Sequence, residues 1–172
     1  MKKVYILVGI IALLSLSCGR NRNIVEDSAP ENSHIIEDFN ITETDSGKLK
    51  MMMDSASAVI DEEKGIAKIQ SPTVKFYKNG EYASILTMES AEINLETYDV
   101  KGYGKCIVNT VENERLQTTN LQYNSKENKV FSADSVEIER GGETIYGTSF
   151  EADTNLENII IENQRITINR NR

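Results

Sequence analysis

The sequence has few of the side chains on which most enzyme chemistry depends. Its 172 residues include one histidine, two cysteines, two prolines and no tryptophan. A soft-ligand metal site takes three or four such ligands, and one histidine with two cysteines leaves little from which to build a Cys–His nucleophile pair. Lys and Arg number 19 against 27 Asp and Glu, a net charge of −8, whereas phosphate backbones select basic surfaces. The composition therefore argues against a metal or other cofactor and against nucleic acid as a partner.

Paired carboxylates are present, but their positions do not favour catalysis. Glu62 and Glu63 fall in a predicted turn, and Glu137 and Glu139 alternate along a predicted strand on its solvent side. Neither setting raises a carboxyl pKa as a general acid requires. We therefore expect no enzymatic activity.

The N-terminus reads as a targeting segment. Lys2 and Lys3 precede an apolar run of 14 residues, Val4 to Ser17, which is short of the roughly 20 residues that a spanning helix needs. Residues 1–17 are therefore interpreted as a signal peptide. Leu14-Ser15-Leu16-Ser17-Cys18 resembles the cleavage motif of bacterial lipoproteins, so Cys18 is the predicted lipidation site. An uncleaved short anchor is the alternative.

Residues 18–46 are predicted to form the lipidated cysteine and a flexible acidic tether. Polar and acidic residues dominate the segment and Pro30 interrupts it, so little apolar area is available to offset its ordering entropy. Phe39 and Ile41 suggest at most a short first strand. Residues 47–172 form the predicted folded domain.

From Gly47 onward apolar residues alternate with polar ones, which indicates an all-β domain. Turn signals such as Asn79-Gly80 and Gly141-Gly142 recur about every 30 residues. They divide the domain into about four repeated two-strand units, and such units must stack on their neighbours to bury their apolar faces. The internal turns of the units are predicted at 61–65, 96–99, 125–128 and 154–158.

Stacked open β-structures end in strands with unpaired edges. The predicted edge residues are Leu49 and Met51 at one end and Arg165, Ile166 and Ile168 at the other. Arg170 and Arg172 follow the last strand and are either solubilising residues or neighbours of an edge kept for a partner strand.

Several segments resemble the LptC family of lipopolysaccharide-export proteins, which are relatives of the repeat-built OstA-type proteins. The resemblance covers roughly residues 49 to 168. It rests on Ser71-Pro72-Thr73-Val74-Lys75-Phe76, Gly102, Leu116-Gln117-Thr118-Thr119-Asn120-Leu121, Val130-Phe131-Ser132 and Ile145-Tyr146-Gly147-Thr148-Ser149-Phe150. Family members usually carry an uncleaved N-terminal helix, which a lipid anchor on Cys18 replaces here.

The resemblance implies a twisted open β-jellyroll whose sheets enclose an apolar groove. It implies a periplasmic protein at the inner membrane that receives lipopolysaccharide from an ABC transporter and passes it to a periplasmic bridge protein of the same fold. The jellyrolls join edge to edge, so the N-terminal edge meets the transporter and the C-terminal edge the bridge protein.

Apolar residues on the alternating strands are the candidates for the groove wall. A methylene group leaving water gains about 0.8 kcal/mol without directional contacts, so such a wall can hold acyl chains that slide. The candidates are Met51, Met53, Ala58, Ile60, Phe76, Ile93, Leu95, Leu121, Tyr123, Val136, Ile138, Phe150 and Ala152.

Three alternatives stay open for these residues. A groove wall and a packed core have the same alternation, so each candidate can equally be core. The flexible side chains of Met51-Met52-Met53 can accommodate varied acyl chains. The same run can instead contact the transporter or simply fill the core. The whole chain can instead be a repeat-β lipoprotein that serves adhesion or assembly and has no lipid groove.

Overall fold

The structure, a computed structural model, describes residues 33–168, and every regular element in that range is a β-strand. The sixteen strands in chain order are β1 (Ser33–Asp45), β2 (Lys48–Asp61), β3 (Ile66–Gln70), β4 (Thr73–Lys78), β5 (Glu81–Thr87), β6 (Ser90–Asn94), β7 (Val100–Tyr103), β8 (Cys106–Thr110), β9 (Arg115–Thr118), β10 (Leu121–Asn124), β11 (Lys129–Ser132), β12 (Val136–Arg140), β13 (Glu143–Gly147), β14 (Ser149–Asp153), β15 (Ile159–Glu162) and β16 (Arg165–Ile168). The predicted all-β class is confirmed.

All strand pairs are antiparallel and form one open sheet that is organised around β2. The strand order is β15-β14-β11-β10-β7-β6-β3-β2-β4-β5-β8-β9-β12-β13-β16, and β1 pairs with the other edge of β2. Along β2, residues 58–61 pair with β3 and residues 51–54 pair with β4. We call β3, β6, β7, β10, β11, β14 and β15 the first half of the sheet, and β4, β5, β8, β9, β12, β13 and β16 the second half.

The two halves face each other across a shared apolar interior. Phe76 of β4 and Tyr123 of β10 belong to opposite halves, and their ring centroids lie 4.9 Å apart. Alternate residues of both halves point into this interior and form a single cluster of buried side chains. The sheet is therefore folded over along β2 into the predicted jellyroll arrangement.

The four predicted internal turns are confirmed as hairpins of the first half. They join β2 to β3, β6 to β7, β10 to β11 and β14 to β15. Between them the chain forms a hairpin in the second half, so a full repeat contains four short strands where the sequence analysis assigned two. The additional strands were not separated because each is only four to seven residues long, too short for its own alternation to stand out.

Two glycines within the family-like segments allow close packing. A β-carbon at Gly102 would lie 2.2 Å from Sδ of Met88, and one at Gly147 would lie 2.1 Å from Cγ2 of Ile161. Both positions are strand residues beside connections between the halves. A larger residue would push neighbouring side chains out of these tight contacts.

The predicted tether is wrong over Ser33–Asp45, which forms β1. This strand pairs with β2 along nearly its whole length, from Ser33 opposite Asp61 to Asp45 opposite Lys48. Phe39 is buried, Ile41 packs against the core, and most other side chains of β1 face solvent. Backbone hydrogen bonds to β2 hold this edge strand, so it needs few apolar side chains. Its composition therefore resembles that of a flexible tether, which explains the error. Residues 1–32, including the predicted signal peptide and Cys18, lie outside the described residues.

Candidate functional site

The predicted groove residues all meet in the interior between the two halves. Eleven of the thirteen are buried, and Ile60 and Leu95 are partly buried against them. Met51, Met53 and Phe76 come from the second-half side, while Ile93, Leu121 and Tyr123 come from the first half. The structure thus brings together residues that are up to 101 positions apart in sequence, Met51 and Ala152.

Additional interior residues complete this cluster. Val74 lies two residues from the candidate Phe76, whereas Leu86, Val108, Leu116 and Val130 occupy buried positions of strands that contain no candidate. Alternation along these strands predicts their burial. Leu156 is different: it is fully buried, yet it lies in the turn between β14 and β15 with a φ of 59°. The further buried residues include Val74, Leu86, Val108, Leu116, Val130 and Leu156.

Burial shifts the pKa values of two interior side chains, Cys106 and Tyr123. Cys106 is fully buried, and its burial raises the pKa of the thiol to about 12. Burial also raises the pKa of the Tyr123 phenol, which donates a hydrogen bond to Oδ1 of Asn128 at 3.2 Å. Both groups therefore stay neutral at physiological pH. No group of three or more metal-ligating side chains lies together within residues 33–168.

The apolar interior reaches the surface at the C-terminal end of the sheet. A cleft of about 340 Å³ opens there between the halves, lined by Ile138, Arg140, Ile145, Ile159, Ile160, Ile161 and Gln164. Ile145 and Ile166 are opposed across β13 and β16 on the inward face, and Ile166 is 52% exposed. Apolar side chains of both halves are thus accessible at this end.

The C-terminal edge predicted at Arg165, Ile166 and Ile168 is a sheet edge. Within the described residues, β16 pairs only with β13, and β15 pairs only with β14. Both strands therefore present one side without a backbone partner, at the same end as the apolar cleft.

The N-terminal edge is not where the sequence predicted it. Leu49 pairs with Thr44 of β1, and Met51 lies between Glu43 of β1 and Phe76 of β4. Met51 is therefore inside the sheet, Leu49 is covered by β1 on one side, and β1 forms the outer edge. The error follows from assigning residues up to 46 to a tether, which left β2 as the first strand.

Polar contacts connect the β1–β2 hairpin to the first half of the sheet. Lys50 donates to Oε1 of Glu43 at 2.8 Å and to Oγ of Ser125 at 3.1 Å. Oγ of Ser125 donates to the same Oε1 at 2.7 Å. The Lys50 and Glu43 side chains are only 18% and 12% exposed. This partly buried cluster fastens the β1–β2 hairpin to the β10–β11 turn of the first half.

A second set of contacts lies nearer the C-terminal end. Ser84 donates to the backbone carbonyl of Thr154, and Arg140 donates to that of Leu156. Nζ of Lys78 lies 2.5 Å from Oε2 of Glu157, and Nη2 of Arg140 lies 2.7 Å from Oε2 of Glu114. The turn between β14 and β15 is thereby held against the second half.

Comparison with known proteins agrees with this architecture. The fold resembles that of the crystal structure of LptH from Pseudomonas aeruginosa, the LptA homologous periplasmic component of the conserved lipopolysaccharide transport device. The TM-score is 0.55 at 16% sequence identity, and the match covers 69% of this chain and 94% of that one. A comparison with curated proteins gives no match.

The sequence also matches a family profile along almost its entire length. Residues 4–168 match the family described as lipopolysaccharide-assembly, LptC-related, which covers every segment on which the resemblance in the sequence rests. The chain therefore belongs to the LptC-related family of lipopolysaccharide-assembly proteins.

Proposed function

We propose that this protein is a non-enzymatic component of lipopolysaccharide transport, which holds the acyl chains of the lipid between the two halves of its sheet. The observation that carries the proposal is the continuous apolar interior formed by the thirteen candidates, together with its cleft at the C-terminal end. Acyl chains bind such a surface by burial alone, at about 0.8 kcal/mol for each methylene group. Because this attraction has no preferred direction, a bound chain can slide.

The protein receives lipopolysaccharide at the inner membrane. In this proposal residues 1–17 are a signal peptide, and Cys18 carries a lipid that anchors the protein at the periplasmic face. An inner-membrane ABC transporter delivers lipopolysaccharide to the interior and supplies the energy of movement. Family membership and the short apolar run of Val4 to Ser17 support this assignment.

Lipopolysaccharide leaves the protein at the C-terminal edge of the sheet. Among residues 33–168, strands β15 and β16 each have a strand partner on one side only, beside an apolar cleft, and such an edge can pair with a strand of another chain. A periplasmic bridge protein of the same fold would continue both the sheet and the apolar interior. The C-terminal edge at Arg165, Ile166 and Ile168 is therefore the proposed bridge contact, and β1 replaces Leu49 and Met51 as the proposed transporter contact.

Depletion of the protein in cells tests the function. We expect newly made lipopolysaccharide to stop reaching the outer membrane, and expression of the full chain to restore its arrival, as measured by pulse labelling and membrane separation. Unchanged arrival after depletion would contradict the proposal and favour the alternative of an adhesion or assembly lipoprotein without a lipid groove.

The same strain tests the exit edge through two truncated chains. Deleting residues 164–172 removes β16, whereas deleting only residues 169–172 leaves β16 intact and removes Arg170 and Arg172. The longer deletion is expected to abolish co-purification with the bridge protein and lipopolysaccharide arrival, with transporter association retained. The shorter deletion is the matched control. Equal behaviour of the two chains would show that β16 is not the contact.

A further inference from the structure

A polar cleft lies where the outer face of the second half meets the connections that carry the backbone between the halves. We call this cleft the outer groove, and its volume is about 530 Å³, within the range of about 300–1,000 Å³ that is common for small-molecule sites. The polar side chains that line it include Glu89, Lys105, Gln117, Thr119, Glu137 and Tyr146.

The outer groove is distinct from the apolar interior. Leu116 of β9 and Ile138 of β12 are buried in the interior, so their neighbours Gln117 and Glu137 point to the opposite face of the sheet. Tyr146 of β13 pairs with Glu137 and shares this outward face. Among the thirteen interior candidates, only one, Val136, also borders the groove.

Three side chains of the outer groove form a row across neighbouring strands. Glu137 of β12 is opposite Gln117 of β9 on one side and opposite Tyr146 of β13 on the other. Side chains opposed in this way have their β-carbons about 5 Å apart. The sheet therefore holds an amide, a carboxylate and an aromatic ring side by side, and the ring is 44% exposed.

The polar groups of the outer groove are available to a ligand. Among the described residues, the side chains of Lys105, Glu137 and Tyr146 make no hydrogen bond or ion pair. Oε1 of Gln117 accepts a hydrogen bond from Nη2 of Arg115 at 2.6 Å, which leaves the amide nitrogen of Gln117 free to donate. The groove thus offers hydrogen-bond donors and acceptors beside an exposed aromatic ring.

The formal charges at the outer groove cancel. Its carboxylates are Glu89 and Glu137, and its cation is Lys105. A second cation, Arg165 of β16, is opposite Tyr146 at the rim. Because two carboxylates accompany two cations, the groove has no net charge to attract a phosphate or another anion. An uncharged polar ligand fits this balance.

We propose that the outer groove binds a glycan chain of uncharged pyranose rings. Such a ring has a face of C–H groups, which packs on the exposed ring of Tyr146. Its hydroxyl and acetamido groups both donate and accept hydrogen bonds, so they donate to Glu137 and accept from Gln117. An acyl chain does not fit the same groove, because it would cover these polar groups without giving them partners.

A glycan of this chemistry has two sources in the periplasm, the strands of the cell wall and the saccharide of lipopolysaccharide itself. The site goes beyond the proposed function, since binding at the outer groove needs no acyl chain in the interior. The experiment therefore uses probes without acyl chains, so that its failure and the failure of the proposed function are distinguishable.

Isothermal titration of the purified full chain with a soluble oligomer of N-acetylglucosamine tests the site. We expect the unmodified protein to bind, and Tyr146→Ala and Glu137→Ala each to weaken the affinity by about tenfold or more. Tyr146→Phe keeps the ring and is expected to retain most of the affinity. Tyr103→Ala is the matched control, because Tyr103 lies on β7 of the first half, outside the groove, and is 39% exposed. This control is expected to bind like the unmodified protein.

Two further probes identify the source of the glycan. One is co-sedimentation with purified cell-wall sacculi, and the other is titration with the saccharide released from lipopolysaccharide by mild acid. Binding that is lost in Tyr146→Ala assigns the groove to that probe. Absence of binding by the unmodified chain to both probes, or equal affinities of Tyr146→Ala and Tyr103→Ala for the soluble oligomer, would overturn the glycan site and leave acyl binding in the interior unaffected.

Discussion

Replacing Phe76 with alanine is expected to lower the free energy of unfolding by about 3–5 kcal/mol. The side chain is 1% exposed, and its ring centroid lies 4.9 Å from that of Tyr123, which belongs to the opposite half. Its removal leaves a cavity at the centre of the interface between the halves, and loss of the ring pair adds about 0.5–1.5 kcal/mol within that total. Urea unfolding followed by far-ultraviolet circular dichroism measures the change, since the chain has no tryptophan to report it.

Tyr82→Ala is the matched control for Phe76→Ala. Tyr82 lies on β5, next to β4, and is 44% exposed. We expect this variant to lose less than about 1 kcal/mol. Similar losses for the two variants would contradict the assignment of Phe76 to the apolar interior.

Replacing Lys50 with alanine is expected to cost about 2–3 kcal/mol, because the substitution leaves the Glu43 carboxylate in a partly buried site without its cation. Oε2 of Glu43 already lacks a hydrogen-bond partner within the described structure, so Lys50 and Ser125 provide the polar contacts of this carboxylate at Oε1. Thermal or urea unfolding of the full chain measures the loss.

Two further variants separate this effect from a general sensitivity to lysine removal. Adding Glu43→Gln to Lys50→Ala removes the unpaired charge and is expected to recover part of the lost stability. Lys78→Ala breaks an exposed ion pair with Glu157 and is expected to cost less than about 1 kcal/mol. A loss for Lys50→Ala no larger than that for Lys78→Ala would show that the Lys50 cluster does not fasten the β1–β2 hairpin to the first half.

Much of the interior was predictable because strand alternation is a local property. Met51, Phe76, Leu121 and Tyr123 each stand in a segment where apolar and polar residues alternate, so their common burial follows from the pattern alone. The hairpin turns were also predictable, since Asn79-Gly80 and Gly141-Gly142 adopt the positive φ angles that such turns require.

What the sequence did not predict depends on partners distant in the chain. The strand β1 is mostly polar and its few apolar residues do not alternate regularly, so only pairing with β2 shows that Ser33–Asp45 is ordered sheet. Leu49 and Met51 were placed at an edge for the same reason. Leu156 lies in a polar turn with no alternation around it, and its burial depends on the opposing half.

Photocrosslinking in living cells tests most directly whether the interior carries lipopolysaccharide. A photoreactive residue at Tyr123, on the buried face of β10, is compared with one at Lys126, which is exposed in the adjoining turn only three positions away. We expect irradiation to capture lipopolysaccharide at Tyr123 and not at Lys126. Capture at Lys126 alone, or at neither position while lipopolysaccharide export continues, would contradict it.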